Sequence, residues 1–316
     1  MTPGVVLGLD TSNYTTSAAV FDPESGVILQ RKQLLPVKEG ALGLRQSDAL
    51  FHHVRQLSDQ VRGVMAETDC PVAAVCVSDR PREVEGSYMP CFLAGKMAAE
   101  CIGAALRVPV YYTSHQAGHV AAALYSAGKL ELLDKPFLAF HVSGGTFEGL
   151  RITPDQQKVL SAEILAHTLD ISPGQLIDRT GVRLGLPFPA GPHLERLAEG
   201  GHCGKVRKPV LKDGCCCLSG MENQVEKMQK EAVPPADIAC YIQTYLAGVL
   251  TAMTDWCLER TGPLPVLYSG GVMSNRFLRE RLAGPERYFA QPAFSADNAC
   301  GVALLGGFLA QREVQP

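Results

Sequence analysis

His115 and His119 stand four residues apart in the run Ser114-His115-Gln116-Ala117-Gly118-His119. On a helix, positions i and i+4 share a face, so both imidazoles can reach one ion. The plainer reading is two satisfied histidines with no ion between them. A His-Glu-x-x-His metalloprotease needs a glutamate as general base, and Gln116 stands in its place, so that chemistry lacks its base. A third ligand has to come from elsewhere. Asp297 lies in Phe294-Ser295-Ala296-Asp297-Asn298-Ala299, ahead of an apolar helix, where it is equally suited to a plain N-cap.

Three short segments have the composition of phosphate-facing turns. In Gly8-Leu9-Asp10-Thr11-Ser12, hydroxyl side chains and open amides can cradle phosphate oxygens, and Asp10 can hold a metal or water beside them. In Ser143-Gly144-Gly145-Thr146, two glycines let the backbone approach a ligand closely. Each of these two also reads as an ordinary β-hairpin. Ser269-Gly270-Gly271-Val272-Met273-Ser274-Asn275-Arg276 follows an apolar strand and opens a helix over 276–282, a nucleotide-facing corner. Each segment ends a buried strand, and the three together argue for a nucleotide cleft more strongly than any one alone.

Two other groupings carry less. Residues 215–217 are consecutive cysteines, which alternate faces on a strand and cannot all meet one metal; the chain has no Cys-x-x-Cys pair, so incidental thiols are favoured over a zinc site. The glycine-rich stretch 199–214 clusters Lys205, Arg207, Lys208 and Lys212 and reads as a solvated loop, with a phosphate-contacting arm as the alternative.

The elements that must position these residues follow from hydrophobic pattern. Apolar runs at 5–9, 73–77, 136–142 and 266–268 predict strands buried on both faces. Leu50, Val54, Leu57, Val61 and Val64 recur at three- and four-residue spacing and predict a helix over 48–67, with further helices over 91–106 and 238–258. Strands alternating with helices give an α/β chain. A strand, a small-residue turn and a return strand occur twice, at 5–21 and 137–152, as duplicated lobes facing each other across a cleft would show. The expected domains are an N-terminal lobe, 1–130, and a C-terminal lobe, 131–297, with a last helix, 298–312, packing back on the first lobe.

Composition bounds the function. The chain has 316 residues, 46% hydrophobic and 19% charged, which excludes disordered and collagen-like classes. Its sequence pI of about 6.2 argues against a free-standing nucleic-acid binder but leaves room for a local basic patch. Eleven cysteines, an odd number, with no signal-peptide pattern at the start, predict free thiols in a reducing cytoplasm. No apolar run reaches the roughly 18 residues of a membrane span.

In this order the pieces resemble the TsaD family, also called Gcp or YgjD, of the actin/Hsp70/sugar-kinase (ASKHA) superfamily, over about residues 7–308. Gly8-Leu9-Asp10-Thr11-Ser12 resembles its first phosphate turn and Val142-Ser143-Gly144-Gly145 its second. Ser114 to His119 resembles its metal-binding helix start. Gly174-Gln175-Leu176-Ile177-Asp178-Arg179, Leu184-Gly185-Leu186-Pro187 and Ala190-Gly191-Pro192 resemble the stretch that holds the nucleotide. Ser269-Gly270-Gly271 with Asn275-Arg276 resembles the adenosine corner, and Asp297-Asn298 the segment whose aspartate is a metal ligand.

The resemblance implies a two-lobed ASKHA fold with duplicated βββαβα-type lobes. It implies an acyltransferase that moves a threonylcarbamoyl group from its adenylate to the adenosine next to the tRNA anticodon. The implied cofactors are one divalent metal ion, iron or zinc, and ATP, AMP or an acyl-adenylate. The implied partners are an adenine nucleotide, tRNA and a smaller paralogous protein forming a heterodimer. Carried over by position, His115, His119 and Asp297 are metal ligands, with His141 as an extra ligand where archaeal relatives place a tyrosine. Asp10, Thr11 and Ser12 form the catalytic turn. His141, Val142, Ser143, Gly144, Gly145, Asp178, Gly191, Gly270, Gly271 and Asn275 face the nucleotide.

The chain also departs from the family pattern. The first turn continues Asn13-Tyr14-Thr15-Thr16 where the family has Cys-Asp-Glu-Thr, so an acidic pair used in transfer is missing. A Gly-Pro-Gly-rich loop becomes residues 79–86, Thr146 replaces a histidine, and Ser219-Gly220-Met221-Glu222 reverses a charge. These departures describe a divergent paralogue. They keep open a second reading, a non-catalytic nucleotide-binding paralogue that regulates or scaffolds another protein. A third reading, a small-molecule kinase, lacks an evident catalytic aspartate.

Overall fold

The structure is a computed structural model and describes residues 4–12, 14–36, 44–294 and 299–314. Asn13, Asp297 and Asn298 lie outside the described residues, so the third metal-ligand candidate and the first residue of the departing turn have no structural account here. The first elements in chain order are β1 Val5–Ser12, β2 Thr15–Phe21, β3 Ile28–Leu34, α1 Gln46–Met65, β4 Val72–Arg80, α2 Phe92–Leu106, β5 Val110–Ser114 and α3 His115–Ala127. Next come β6 Phe137–Val142, β7 Phe147–Asp155, β8 Val159–His167, α4 Pro173–Arg183, α5 Gly191–Ala198, β9 Leu211–Lys212, β10 Cys215–Cys216 and α6 Gly220–Lys230. The last are α7 Pro235–Thr261, β11 Val266–Ser269, α8 Arg276–Leu282, β12 Arg287–Phe289 and α9 Cys300–Val314. The chain divides into two compact units. One comprises Met1–Asp134, Thr153–Ala162 and Phe294–Pro316, the other Lys135–Ile152 and Glu163–Ala293.

The first unit is built on a sheet of strand order β3-β2-β1-β4-β5. β1 pairs antiparallel with β2 and parallel with β4, and β5 continues parallel to β4. Side chains of a strand alternate between faces, and β1 uses this fully. Val5, Leu7 and Leu9 pack with Leu57 and Val64 of α1 and Ala99 of α2. Val6, on the opposite face, packs with Val302 and Ala310 of α9. Leu7 and Leu9 are buried outright, and each such burial stabilises by about 2 kcal/mol. Gly8 shares the face of Val6. A Cβ there would sit 2.5 Å from the Ala303 nitrogen, so only glycine lets α9 lie this close.

Two sequence expectations are corrected in this unit. Gly8 to Ser12 is not a turn: β1 runs on through Ser12, which pairs with Thr15 of β2. The polar residues Asp10, Thr11 and Ser12 stay buried, and Asp10 and Thr11 meet side-chain and backbone partners there, so the strand has no need to break for water. In α1 the buried stripe is Ala49, His53, Leu57 and Val64, so of the expected apolar set Leu57 and Val64 are buried, Leu50 and Val61 are half-buried and Val54 is not. Val54 is 55% exposed.

The second unit carries a sheet of order β12-β11-β6-β7-β8. β6 runs parallel to β11 and antiparallel to β7, and β11 runs parallel to β12. Alternation again selects one face: Leu138, Phe140 and Val142 of β6 enter a core with Ile242, Leu246, Leu250 and Met253 of α7. Phe140, Tyr268 and Phe289 stack across three strands, with centroids 5.5 and 5.2 Å apart. The one polar atom in that stack, the Tyr268 hydroxyl, meets Thr254 Oγ1 at 2.8 Å and Arg287 Nη1 at 2.7 Å. Among the described residues no helix is long and apolar enough to cross a membrane.

Candidate functional site

In the first unit the same alternation that puts Leu9 in the core puts Asp10 on the opposite face of β1. Its side chain is fully buried. The Ser78 hydroxyl of β4 donates to Asp10 Oδ1, and His115 Nδ1 lies 3.0 Å from Oδ2 and 3.2 Å from Oδ1. His115 opens α3, whose first turn is fixed by Ser114: its hydroxyl accepts from the Ala117 amide at 3.2 Å. One turn on, His119 Nε2 lies 3.0 Å from His115 Nε2, and the rings meet edge to face with centroids 4.3 Å apart.

Hydrogen-bond chemistry fixes the protons. A carboxylate only accepts, so His115 holds its proton on Nδ1. When His115 is neutral its Nε2 carries a lone pair, and a hydrogen bond between the two rings then takes its proton from His119. A cation in place of that proton would meet two lone pairs, with Asp10 holding the imidazole behind it. This is the carboxylate–histidine–metal arrangement, in which the carboxylate fixes tautomer and ring orientation. The structure therefore brings Asp10, His115 and His119 together, and the two histidines fit a divalent ion as ligands. Among the described residues no group of three or more His, Cys, Asp or Glu side chains forms a metal cluster.

Thr11 faces the other way. Its hydroxyl donates to the Cys91 carbonyl at 3.0 Å and accepts from the Gly95 amide at 3.1 Å, anchoring the first turn of α2. Ser12 Oγ is buried and meets no hydrogen-bond partner among the described residues. Beyond it lies a histidine that sequence reading passed over. His53 of α1 is fully buried, with Nδ1 2.8 Å from Thr16 Oγ1, while Thr16 donates to Gln56 Oε1 at 2.9 Å. Its pKa is pushed down to about 4, chiefly by burial, so the ring is neutral.

The second unit contains a cavity of about 350 Å³ lined by Gly144, Asp178, Gly191, Gly271 and Asn275 of the expected nucleotide set. The turn after β6 is shaped by Ser143, whose amide donates to the Thr146 carbonyl at 2.8 Å while its Oγ accepts from the Thr146 amide at 3.0 Å. Ser172 caps α4 and donates to the Gly144 carbonyl at 2.7 Å, tying that helix start to the turn. Asp178 Oδ1 accepts from the Ala190 amide at 2.8 Å and holds the approach to Gly191. Asn275 caps α8 through the Leu278 amide at 2.9 Å, and its Nδ2 donates to Gln243 Oε1 at 3.1 Å. Gly270 adopts φ +99°, and a Cβ there would fall 2.2 Å from the Val142 carbonyl oxygen.

The other expected contacts are placed differently. Val142 sends its side chain into the core. His141, Ser143, Gly145 and Gly270 are not among the residues lining the cavity. His141 Nδ1 lies 3.5 Å from Ser269 Oγ on the neighbouring strand. Ile177, within the expected nucleotide stretch, adds apolar surface; sequence reading missed Leu194 and Leu246, which add more, and Glu195 and Gln243, which supply polar atoms. The available signal was Gln243, a buried amide in an otherwise apolar stretch of α7.

Comparison with known proteins adds the family. A sequence profile described as TsaD, tRNA N6-adenosine threonylcarbamoyltransferase, matches residues 38–304. The chain is 31% identical over 325 residues to the tRNA N6-adenosine threonylcarbamoyltransferase of Aromatoleum aromaticum, covering 96% of this chain and 91% of that protein. Among solved structures, HypF of T. kodakarensis aligns with TM-score 0.61 at 13% identity, covering 99% of this chain and 48% of that one, so this chain spans about half the length of HypF. A ROK family glucokinase from Streptomyces griseus, solved with glucose and AMPPNP, aligns with TM-score 0.53 at 15% identity over 98% of this chain and all of that one. These likenesses show the fold, the actin/Hsp70/sugar-kinase α/β fold. By profile and by its curated relatives, the chain belongs to the TsaD family of tRNA N6-adenosine threonylcarbamoyltransferases and is a transferase.

Proposed function

We propose that this chain transfers a threonylcarbamoyl group from its adenylate to an adenosine of tRNA, using one bound divalent metal ion. The observation that carries the reading is the first-unit array: two histidine Nε2 atoms 3.0 Å apart, the nearer one oriented by a buried carboxylate. In the transfer, a bond forms between the adenosine amine and the carbamoyl carbon, the acyl–phosphate bond breaks, and AMP leaves. His115 and His119 would hold the ion, with Asp297 as a third ligand and His141 as a further one. When bound, iron or zinc supplies Lewis-acid polarisation of a carbonyl. Asp10 keeps the His115 proton on Nδ1 and so keeps Nε2 available.

The cavity of the second unit is assigned to the adenylate, whether ATP, AMP or the acyl form. Apolar Ile177, Leu194 and Leu246 suit a base, and the capped start of α4 beside the Ser143–Thr146 turn supplies the amide dipoles that favour phosphate. A smaller paralogous protein is the proposed heterodimer partner. The expected location is the cytoplasm, where tRNA is found. The divisions expected from sequence, 1–130 and 131–297, are proposed as the two lobes.

The test supplies threonylcarbamoyl-adenylate, iron or zinc and unmodified tRNA to the purified chain and its paralogous partner, then reads tRNA nucleosides by mass spectrometry. Threonylcarbamoyladenosine and AMP are expected in equal amounts, and H115A should abolish both. Metal-loaded protein that binds AMP yet forms no modified adenosine would reject transfer and leave nucleotide binding alone.

A further inference from the structure

The segment 199–210 of the second unit forms neither helix nor strand beyond the end of α5, yet it is fastened to α7 at successive points. The His202 amide donates to Asp237 Oδ1 at 2.7 Å, and the Arg207 amide donates to the Tyr241 hydroxyl at 3.2 Å. Between these anchors, Cys240 Sγ of α7 points at Cys203 Sγ only 2.8 Å away. Cys203 Sγ also lies 3.4 Å from Thr244 Oγ1, one helical turn on from Cys240. Both thiols are partly accessible, and Cys203 sits between exposed His202 and Gly204. The backbone is equally close: a Cβ at Gly201 would stand 3.0 Å from Cys240 Cβ.

Two sulfurs at this distance need only about 0.8 Å of further approach to reach the ~2.05 Å of a covalent bond. Cys76, Cys91, Cys216 and Cys300 are buried, and burial pushes each thiol up to about 12, which keeps it an unreactive thiol. Cys240 is also raised, by burial and then by the bond it donates to Cys203. Cys203 is the accepting sulfur of that bond and is flanked by exposed His202 and Gly204, so it is assigned the first attack.

We propose that Cys203 and Cys240 are a reversible dithiol–disulfide pair, closed by a low-molecular-weight disulfide such as glutathione disulfide, and that closure clamps the basic segment 204–212 to α7. The Cys203 thiolate attacks one sulfur of glutathione disulfide, forming a mixed disulfide and releasing one glutathione. Cys240, losing its proton, then attacks Cys203 Sγ and releases the second glutathione. Two cysteine thiols become one protein disulfide, one glutathione disulfide is reduced to two thiols, and the cysteine protons end on glutathione. The clamp would hold Lys205, Arg207, Lys208 and Lys212 along one helix flank, one turn from Gln243 in the cavity wall. The pair belongs to the second unit and the histidine array to the first.

The full-length protein is incubated with glutathione disulfide, alkylated under denaturing conditions and digested with trypsin. The fragment 197–205, carrying Cys203, should appear joined to the fragment 231–260, carrying Cys240 and Cys257, and dithiothreitol should part them. C240S should abolish the joined species and leave a glutathione adduct on Cys203; C257S should leave the joined species intact. Native trypsin cleavage after Lys205 should slow at least fivefold on oxidation, and not in C240S. Glutathione adducts on Cys203 in the wild-type protein without the joined fragment, or persistence of that fragment in C240S, would overturn the pairing. Equal cleavage rates in the oxidised and reduced forms would overturn the clamp.

Discussion

Replacing Asp10 by asparagine isolates the role given to its charge. The side chain keeps its shape, but one of its two acceptor oxygens becomes a donor. In the native arrangement Oδ1 accepts from Ser78 and the closer His115 contact is Oδ2 at 3.0 Å. If the asparagine oxygen stays with Ser78, its NH₂ faces His115 Nδ1 and draws out that lone pair. The proton then moves to His115 Nε2, where it blocks ligation. If the amide turns the other way, the tautomer survives but the bond behind it loses its ionic strength. Loss of such an orienting carboxylate typically costs 10–100-fold in metal affinity, or about 1.4–2.7 kcal/mol. The assay is titration of apo D10N against a chromophoric chelator with zinc, alongside wild type and H115A. Circular dichroism should confirm an unchanged fold. Affinity in D10N equal to wild type would refute the tautomer argument, whatever H115A does.

Three further outcomes follow from geometry already described. His53 is neutral in the fold, with a pKa near 4 against 6.5 unfolded; the unfolded chain binds the extra proton between those values, so stability falls by about 3 kcal/mol as pH drops from 6.5 to 4. Urea unfolding across that range should show this slope, and H53Q should flatten it. Gly270→Ala forces a Cβ toward the Val142 carbonyl at φ +99° and should destabilise by at least about 2 kcal/mol in thermal or denaturant unfolding. Gln243→Leu strips the acceptor from Asn275 Nδ2 and should weaken AMP binding several-fold by calorimetry; unaltered affinity would remove Gln243 from the nucleotide wall.

The parts of this fold that sequence revealed are those governed by short-range pattern. The apolar runs leading into Asp10, Ser143 and Ser269 are strands, and the four-residue spacing of His115 and His119 does put both rings on one face of α3. What it hid depends on partners distant in the chain. Asp10 looked like a turn residue because an aspartate in a strand is unfavourable unless something across the sheet satisfies it, and Ser78 and His115 are 68 and 105 positions away. Glu195 and Gln243 reach one cavity from different helices, so no local spacing could join them. Cys203 and Cys240, 37 residues apart, match no metal or redox spacing. His53 was passed over because an amphipathic pattern does not show which flank of a helix is buried.

The pleat of β1 sorts its residues by parity: 6, 8 and 10 turn to one side, 5, 7, 9 and 11 to the other. A single deleted codon between positions 5 and 9 would exchange the two sets. The carboxylate would be driven into hydrocarbon and a leucine would confront the imidazoles, with a bulky side chain wedged where α9 tolerates none. Point substitutions at position 10 can silence chemistry and spare the scaffold, whereas loss of one residue here destroys both together. Length in this stretch should therefore be far less negotiable than identity.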